Sequence, residues 1–242
     1  LVSNSNDKKT ALARFFSYND PLVKMYKMEN IWGIDARNKE QSFALELLMD
    51  PDVEVVSLIG QAGSGKTLLA VAAGLEQVLG DDNEYKKLIV SRPIQPLGKD
   101  IGYLPGTLEE KMDPWLMPIK DNLEFLLGND RDTVKMYFEK GVIEIEAITY
   151  IRGRSITNAF IIIDEAQNLT RHELKTILTR VGEGTKIILT GDIEQIDNIY
   201  IDETSNGLTY AVEKFKEHDI SGHITLQKGE RSKVATLAAK IL

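Results

Sequence analysis

The chain has 242 residues, of which 43% are hydrophobic and 27% charged, and these values favour a soluble globular protein over a disordered or fibrous one. Its net charge of −8 disfavours a protein that coats nucleic acid indiscriminately, and the absence of cysteine excludes disulfides and thiolate metal sites. We expect a cytoplasmic protein without a membrane partner, because no apolar run could span a bilayer and no signal peptide opens the chain.

The first predicted elements follow a polar segment. We expect a tail or linker over residues 1–28 and a single domain over residues 29–242; the lack of an initiator methionine suggests an excised fragment or a processed chain. Apolar positions recur at helical spacing from residue 37 to 49, where Pro51 ends the pattern. The β-branched run from 53 to 59 predicts a strand of a parallel sheet, buried on both faces. A helix over 66–79 and a strand over 88–91 follow.

The middle of the chain is rich in proline and glycine. Five of the seven prolines lie between residues 93 and 118, which predicts a functional surface insertion rather than a core element. Helices are expected over 116–127 and 133–139, and a short alternating strand over 142–147.

The remaining chain again alternates strands and helices. Strands are predicted over 160–164, 186–190 and 223–226, and helices over 207–216 and 232–242. Thr170 and Glu173 form a capping-box pattern that predicts a helix from there to about residue 180. This alternation predicts an α/β fold with a doubly wound, mostly parallel sheet in a three-layer αβα sandwich.

One glycine-rich segment follows the first strand and opens a helix. It matches G-x-x-x-x-G-K-[ST], a pattern expected by chance in about one chain of this length in a hundred. Backbone amides and the helix N-terminus would bind the phosphates of ATP, Lys66 would reach the β and γ phosphates, and the Thr67 hydroxyl would bind Mg²⁺. A glycine turn with a surface lysine is the alternative. The expected nucleotide-binding residues are Gly60, Gln61, Ala62, Gly63, Ser64, Gly65, Lys66, Thr67 and Leu68.

Two adjacent acids end the predicted strand over 160–164. We expect Asp164 to hold Mg²⁺ and Glu165 to act as the catalytic base toward the attacking water. An ordinary solvated strand end or helix cap is the alternative. P-loop enzymes with an adjacent catalytic glutamate resemble the RecA-like group, in which another strand separates the P-loop strand from the acid strand.

Two further patterns resemble motifs of superfamily 1 helicases. Gly191, Asp192 and Gln195 resemble the G-D-x-x-Q motif, whose glutamine senses the γ-phosphate; otherwise they form a β-turn. Asn38 and Gln41 lie one helical turn apart and resemble the glutamine motif that reads adenine. Alone, Gln41 would more often be a surface helix residue.

The combination of segments resembles PhoH-family ATPases over residues 28–242, in the family's order. This resemblance implies a RecA-like ATPase tied to single-stranded RNA, in ring oligomers for which a hexamer is suspected. The stretch 29–38, with Trp32 in it, resembles the branch that carries an N-terminal PIN ribonuclease domain, which is absent here. The segments that carry the resemblance are Ser91-Arg92-Pro93, residues 98–106, Glu109-Glu110-Lys111, Pro114-Trp115, residues 150–154, Asp164-Glu165-Ala166-Gln167-Asn168 and Gly229-Glu230-Arg231-Ser232.

The arginine that stabilises transition-state charge is expected from the end of the chain or from a neighbour. The chain ends about ten residues after Arg231, so we expect a second subunit to complete the site. Arg231 is the first candidate, followed by Arg152 and Arg154; each could equally be a surface salt-bridge partner. RNA phosphates could be bound by the same pair or by cations of the insertion, Arg92 and Lys99, with Tyr103 stacking on a base. An oligomer contact or a lid is an equal alternative.

Three functions compete at this point. The first is an RNA-linked ATPase that could unwind RNA. The second is a protein-remodelling ATPase, in which the insertion grips a partner protein. The third, a small-molecule kinase, is disfavoured because a phosphotransferase should exclude water rather than orient it with Glu165.

Overall fold

The computed structural model describes residues 12–15, 19, 21–25, 30–81, 83–93, 108–151 and 155–227. Part of the expected tail lies inside these ranges, where strand β1 (Ala13–Arg14) pairs antiparallel with β2 (Val23–Lys24). The Arg14 guanidinium is paired with the carboxylates of Glu46 and Asp50. This small ladder therefore lies against the end of the first helix, α1 (Lys39–Met49).

Six parallel strands form the central sheet. They are β3 (Val55–Gly60), β4 (Lys87–Arg92), β5 (Ile143–Ala147), β6 (Ala159–Ile163), β7 (Lys186–Gly191) and β8 (Ser221–Leu226). Their order across the sheet is β5-β4-β6-β7-β3-β8. Strand β3 leads into the glycine-rich segment 60–67, the P-loop, and strand β6, the acid strand, leads into Asp164 and Glu165. Strand β7 lies between them, which confirms the predicted RecA-like arrangement. The carboxyl ends of all three strands meet at one edge of the sheet.

Helices cover both faces of the sheet. In chain order they are α1, α2 (Lys66–Leu79), α3 (Leu108–Leu126), α4 (Arg131–Glu139), α5 (Ile148–Ile151), α6 (Arg171–Leu178) and α7 (Gly207–Phe215). Alternate strand residues pack on opposite sides, since Leu58, Val90 and Ile162 join the cluster that holds α1 to α4. Ile161 and Leu189 join the cluster that holds α5 to α7. The predicted three-layer αβα sandwich is confirmed.

Several boundaries agree with the sequence prediction. Helix α2 has the predicted bounds, and the capping box is present: Thr170 Oγ1 accepts from the Glu173 backbone N at 3.2 Å, and Glu173 Oε2 accepts from the Thr170 backbone N at 3.0 Å. The four-residue helix α5 was not predicted. The helix expected over 232–242 and most of the expected insertion lie outside the described residues.

The predicted start of α3 at residue 116 was wrong, because the helix begins at Leu108 and includes Pro114 and Pro118. Proline lacks the amide that an interior helical position donates, so a proline-rich stretch was interpreted as irregular. Burial of Leu116, Ile119 and Leu123 against the core compensates for the lost hydrogen bonds and keeps the segment helical. Among the described residues, no helix combines the length and the apolar character needed to cross a bilayer.

Candidate functional site

The glycine-rich loop joins β3 to α2 at the carboxyl edge of the sheet. Gly63 and Gly65 have φ values of 81° and 91°, in the left-handed region that residues with a Cβ rarely adopt. Gly65 is the N-cap of α2 and offers no side chain to its first turn. The first turn of α2 thus receives no side-chain cap from Gly65, and a helix N-terminus of this kind suits an anionic phosphate.

The Lys66 side chain folds back onto the glycine-rich loop. Its Nζ donates to the Gly60 carbonyl at 2.5 Å and to the Gln61 carbonyl at 3.2 Å, and the residue is only 8% exposed. Beside it, the Ser64 hydroxyl is buried and has no hydrogen-bond partner within the described part of the chain. The buried ammonium and the backbone amides of the glycine-rich loop and the helix start are hydrogen-bond donors that fit a polyphosphate.

Asp164 lies one strand away and is tied to both neighbouring elements. Its Oδ1 accepts from Thr67 Oγ1 at 2.7 Å and from Thr190 Oγ1 at 2.6 Å, and the residue is 3% exposed. A hydroxyl and a carboxylate are hard oxygen ligands of the kind that Mg²⁺ takes alongside water and phosphate. The predicted metal residues Thr67 and Asp164 therefore form a pair that fits this ion.

Glu165 follows in an unusual backbone conformation. Its φ of 54° and ψ of 38° lie in the left-handed region, which costs a residue other than glycine about 1–3 kcal/mol. Its Oε2 accepts from Gln167 Nε2 at 2.5 Å, and its Oε1 lies 3.5 Å from Arg92 Nη2. Arg92 Nη1 also lies 3.9 Å from Asp164 Oδ2. Arg92, expected to contact RNA, is thus placed against the two acids.

The loop after β7 contacts the P-loop directly. Asp192 Oδ2 accepts from the Ala62 backbone N at 2.8 Å, and Glu194 Oε2 accepts from Gln61 Nε2 at 2.9 Å. The Gln195 backbone N closes a turn on the Asp192 carbonyl at 3.0 Å, and its side chain is exposed. The turn is thus present, and a role of Gln195 in sensing the γ-phosphate stays a prediction.

Asn38 and Gln41 contact the protein itself in this structure. Asn38 is the N-cap of α1 and accepts from the Gln41 backbone N at 2.9 Å. Gln41 is 5% exposed; its Oε1 accepts from the Arg37 backbone N at 2.9 Å and its Nε2 donates to the Ser64 carbonyl at 3.1 Å. The Gln41 amide therefore holds the P-loop from behind. A role of the pair in reading adenine stays a prediction.

Some functional residues escaped the sequence analysis, and others cannot be placed. Gln167 and Thr190 received no role, although Thr190 is a polar residue near the end of the buried strand β7 and Gln167 follows the two acids closely, which are the signals that could have found them. Arg231, Arg152, Arg154, Lys99 and Tyr103 lie outside the described residues.

Comparisons with known proteins give a family match and several related chains. The family model of the PhoH-like protein matches residues 33–241. Protein PhoH2 of Bacillus subtilis (strain 168) is 60% identical over 216 residues, which is 88% of this chain and 49% of that protein. Protein PhoH2 of Thermobispora bispora is 41% identical over 213 residues, which is 88% of this chain and 48% of that protein. The chain thus spans about half the length of these curated relatives.

A solved structure is similar at the level of the chain path. The DUF1998 helicase MrfA, determined bound to DNA, covers 91% of this chain and 29% of its own chain at 13% identity and a TM-score of 0.47. A similarity of this degree carries no information on function.

Proposed function

The chain belongs to the PhoH family, and we propose that it is a Mg²⁺-dependent ATPase whose hydrolysis is coupled to RNA. The family and the P-loop of this α/β fold together make it a P-loop ATPase-type enzyme. The observation that carries the proposed Mg²⁺-dependent hydrolysis is the contact of Thr67 with Asp164, because it joins the P-loop to the acid strand next to Glu165.

The proposed reaction is the attack of water on the γ-phosphorus. Glu165 accepts a proton from the water, the new oxygen–phosphorus bond forms, and the bond between the γ-phosphorus and the β–γ bridging oxygen breaks, leaving ADP and phosphate. Lys66 neutralises charge on the phosphates, and Gln195 senses the γ-phosphate. When bound by Thr67 and Asp164, Mg²⁺ supplies charge neutralisation at the phosphate oxygens.

The coupling to RNA rests on the likeness of residues 191–195 to a helicase motif and on Lys99 of the insertion, since Arg92 lies against the two acids instead. Measuring the ATPase rate with and without single-stranded RNA tests it, with Glu165→Gln as the control for contaminating activity. We expect stimulation by RNA and loss of turnover, but not of Mg-ATP binding, in Glu165→Gln. An unstimulated rate together with no RNA binding at low salt would favour the protein-remodelling alternative. Normal hydrolysis by Glu165→Gln would refute the assignment of the base.

We also propose that the site is completed in a ring, with a hexamer as the expected form. The loop after Gln195 supports this, because Ile199 and Tyr200 are 86% and 85% exposed while their backbone is held in place. Tyr200 N donates to Asn198 Oδ1 at 3.0 Å, and Asn198 Nδ2 donates to the Asn168 carbonyl at 3.0 Å. Such exposed apolar side chains next to the nucleotide loops are suited to contact a second copy.

The neighbouring copy would contribute an arginine to the γ-phosphate, Arg231 first and Arg152 or Arg154 next. Sedimentation with Mg-ATP, compared between the wild type and Tyr200→Ser, tests the assembly. We expect oligomers in the wild type and a shift toward monomer in the variant. Monomers that retain full turnover would overturn this proposal. An upstream PIN domain and a cytoplasmic location stay predictions.

A further inference from the structure

Gln167 lies at the centre of the site without having a place in the proposed reaction. It sits in the 3-10 turn Ala166–Asn168, two residues after Glu165, and its side chain is completely buried. A primary amide is costly to bury unless its hydrogen bonds are satisfied, so its contacts are expected to matter for the local structure.

Each side of the Gln167 amide is occupied. Nε2 donates to Glu165 Oε2 at 2.5 Å and to the Gln195 carbonyl at 2.9 Å. Oε1 accepts from the Asp192 backbone N at 3.1 Å. One side chain thus bonds both to the carboxylate of Glu165 and, twice, to the backbone of the loop that carries the predicted γ-phosphate sensor.

The surroundings leave the amide little freedom to move. A Cβ added at Gly191 would lie 2.7 Å from Gln167 Oε1 and 2.4 Å from Leu208 Cδ2. The backbone there is therefore packed onto the amide, and a glycine is needed for the close approach. The Glu165 carbonyl also accepts from the Asn168 backbone N at 3.0 Å, so the short turn fixes the base at both its backbone and its side chain.

We propose that Gln167 is a positioning residue that holds Glu165 for water activation and links its orientation to the loop 191–195. The inference rests on the proposed function, because it assumes that Glu165 is the base. Displacement of the loop moves the two groups that Gln167 binds there, and the same NH₂ group then loses or changes its bond to Glu165. Nucleotide sensing and water activation are coupled through this one amide.

The three hydrogen bonds at position 167 require both the amide group and the length of glutamine. Glutamate at 167 would lack the donors and would set a negative charge against the Glu165 carboxylate, whereas methionine keeps the length and volume and removes all three bonds. Asparagine is shorter by one methylene, so its amide cannot span the same distances.

The matched control is Asn168, the next residue of the same turn. It is 3% exposed and also bonds to the loop that follows β7, since its Oδ1 accepts from the Asp197 backbone N at 2.8 Å. This bond of Asn168 runs to the Asp197 backbone, whereas the bond of Gln167 runs to the Glu165 carboxylate. Asn168→Ala should therefore disturb the loop without releasing the base.

The experiment measures kcat, KM for ATP and nucleotide affinity for Gln167→Met, Gln167→Glu and Asn168→Ala, each with a thermal unfolding curve. We expect Gln167→Met and Gln167→Glu to lower kcat by roughly 10- to 100-fold and to change KM and affinity by less than about 3-fold. Asn168→Ala should lower kcat by less than about 3-fold. A rise in KM with unchanged kcat, or an equal loss of kcat in Asn168→Ala, would overturn the inference.

A double-mutant cycle separates positioning from a general structural role. In the Glu165→Gln background, Gln167→Met should cause no further loss of the single-turnover rate, because the group on which it acts is already gone. An independent loss of the same size in both backgrounds would overturn the proposal. If Gln167→Met is unfolded at the assay temperature, the same cycle with Gln167→Glu decides. Absence of hydrolysis in the wild type would instead refute the proposed function, so the two failures differ.

Discussion

The hydroxyl of Thr67 and the carboxylate of Asp164 are in direct contact, with Thr67 Oγ1 donating to Asp164 Oδ1 at 2.7 Å. The two residues come from different motifs, 97 positions apart in the chain. The same carboxylate oxygen accepts from Thr190, so the acid is held from the strand β7 as well. This contact brings together the two protein ligands that the sequence assigned to Mg²⁺.

Replacing Thr67 should lower Mg²⁺-dependent turnover while leaving Mg²⁺-free nucleotide binding nearly unchanged. Thr67→Val keeps the shape and removes the hydroxyl, and we expect turnover at saturating Mg²⁺ to fall by roughly 100-fold, or about 2.7 kcal/mol. Nucleotide binding without Mg²⁺ should change little. Thr67→Ser keeps the ligand oxygen and should stay within a few-fold of the wild type. The check is a Mg²⁺ titration of the ATPase rate; equal rates for the Val and Ser variants would contradict the metal role.

Lys66→Ala should weaken nucleotide binding and hydrolysis together. The ammonium is buried in the loop, and it supplies charge that both the ground state and the transition state use. We expect about 10-fold weaker binding and a rate at least about 100-fold lower. Fluorescent-nucleotide titration and a turnover assay measure the two effects, with the exposed Lys175→Ala as the control. Loss of turnover with intact affinity would show that Lys66 acts only in the transition state.

Arg92 should tune affinity for ATP by offsetting the charge of the two acids. Its guanidinium lies 3.5 Å from Glu165 and 3.9 Å from Asp164, so its removal leaves two carboxylates facing an incoming polyphosphate. For Arg92→Ala we expect KM for ATP to rise by about 3- to 10-fold, on the order of 1 kcal/mol, with kcat within 3-fold. Arg92→Lys should recover part of the affinity. Steady-state kinetics decide, and a fall in kcat at constant KM would contradict the charge argument.

The sequence predicts the fold well because its signals are local. The β-branched strands, the glycine after α2 and the Thr170–Glu173 pair each determine short-range structure, and alternation of elements then favours the parallel sheet. The start of α3 was missed for the opposite reason: tertiary packing of its apolar face overrides the local preference of two prolines.

The candidate site was only partly predictable. Lys66, Thr67 and Asp164 belong to patterns that chemistry requires at fixed spacing. The contact of Gln167 with Asp192 joins residues 25 positions apart, and that of Arg92 with Glu165 spans two strands of the sheet. Such contacts depend on the register between strands, and no local pattern in the sequence specifies it.

Gly74→Ala should destabilise the protein although alanine is the better helix former. The added Cβ would lie 2.8 Å from Leu88 Cδ1 and 2.9 Å from Phe160 Cδ1, where α2 packs on the sheet. Overpacking costs about 1–3 kcal/mol, against a gain of about 1 kcal/mol from helix propensity. We expect a net loss near 1 kcal/mol in urea unfolding. The double variant with Leu88→Val should recover part of it, and an unchanged midpoint for Gly74→Ala would contradict the close packing.

The buried Lys186 should make stability depend on alkaline pH. Burial lowers the pKa of Lys186 to about 8, and the Asp50 carboxylate only partly offsets this effect. Its Nζ donates to the Leu47 carbonyl at 2.9 Å and to the Asp50 carbonyl at 2.5 Å, at the end of α1. In the unfolded chain the ordinary lysine pKa is near 10.4. Between these two values the unfolded chain binds more protons, so the free energy of unfolding should rise with pH.

Over the whole interval between the two pKa values, Lys186 raises the free energy of unfolding by about 3 kcal/mol. The measurable part of this rise lies between pH 8 and 10. Above pH 10 Tyr85 opposes this rise in the free energy of unfolding, because burial raises the pKa of Tyr85 to about 12 and the unfolded chain then loses its tyrosine proton first.

Denaturant unfolding at several pH values should show that the free energy of unfolding rises with pH, and Lys186→Met should remove this positive slope. The exposed Lys135→Met is the matched control and should keep the slope. A wild-type stability that is flat or falls from pH 8 to 10, or a slope that survives in Lys186→Met, would contradict a buried Lys186 as its source.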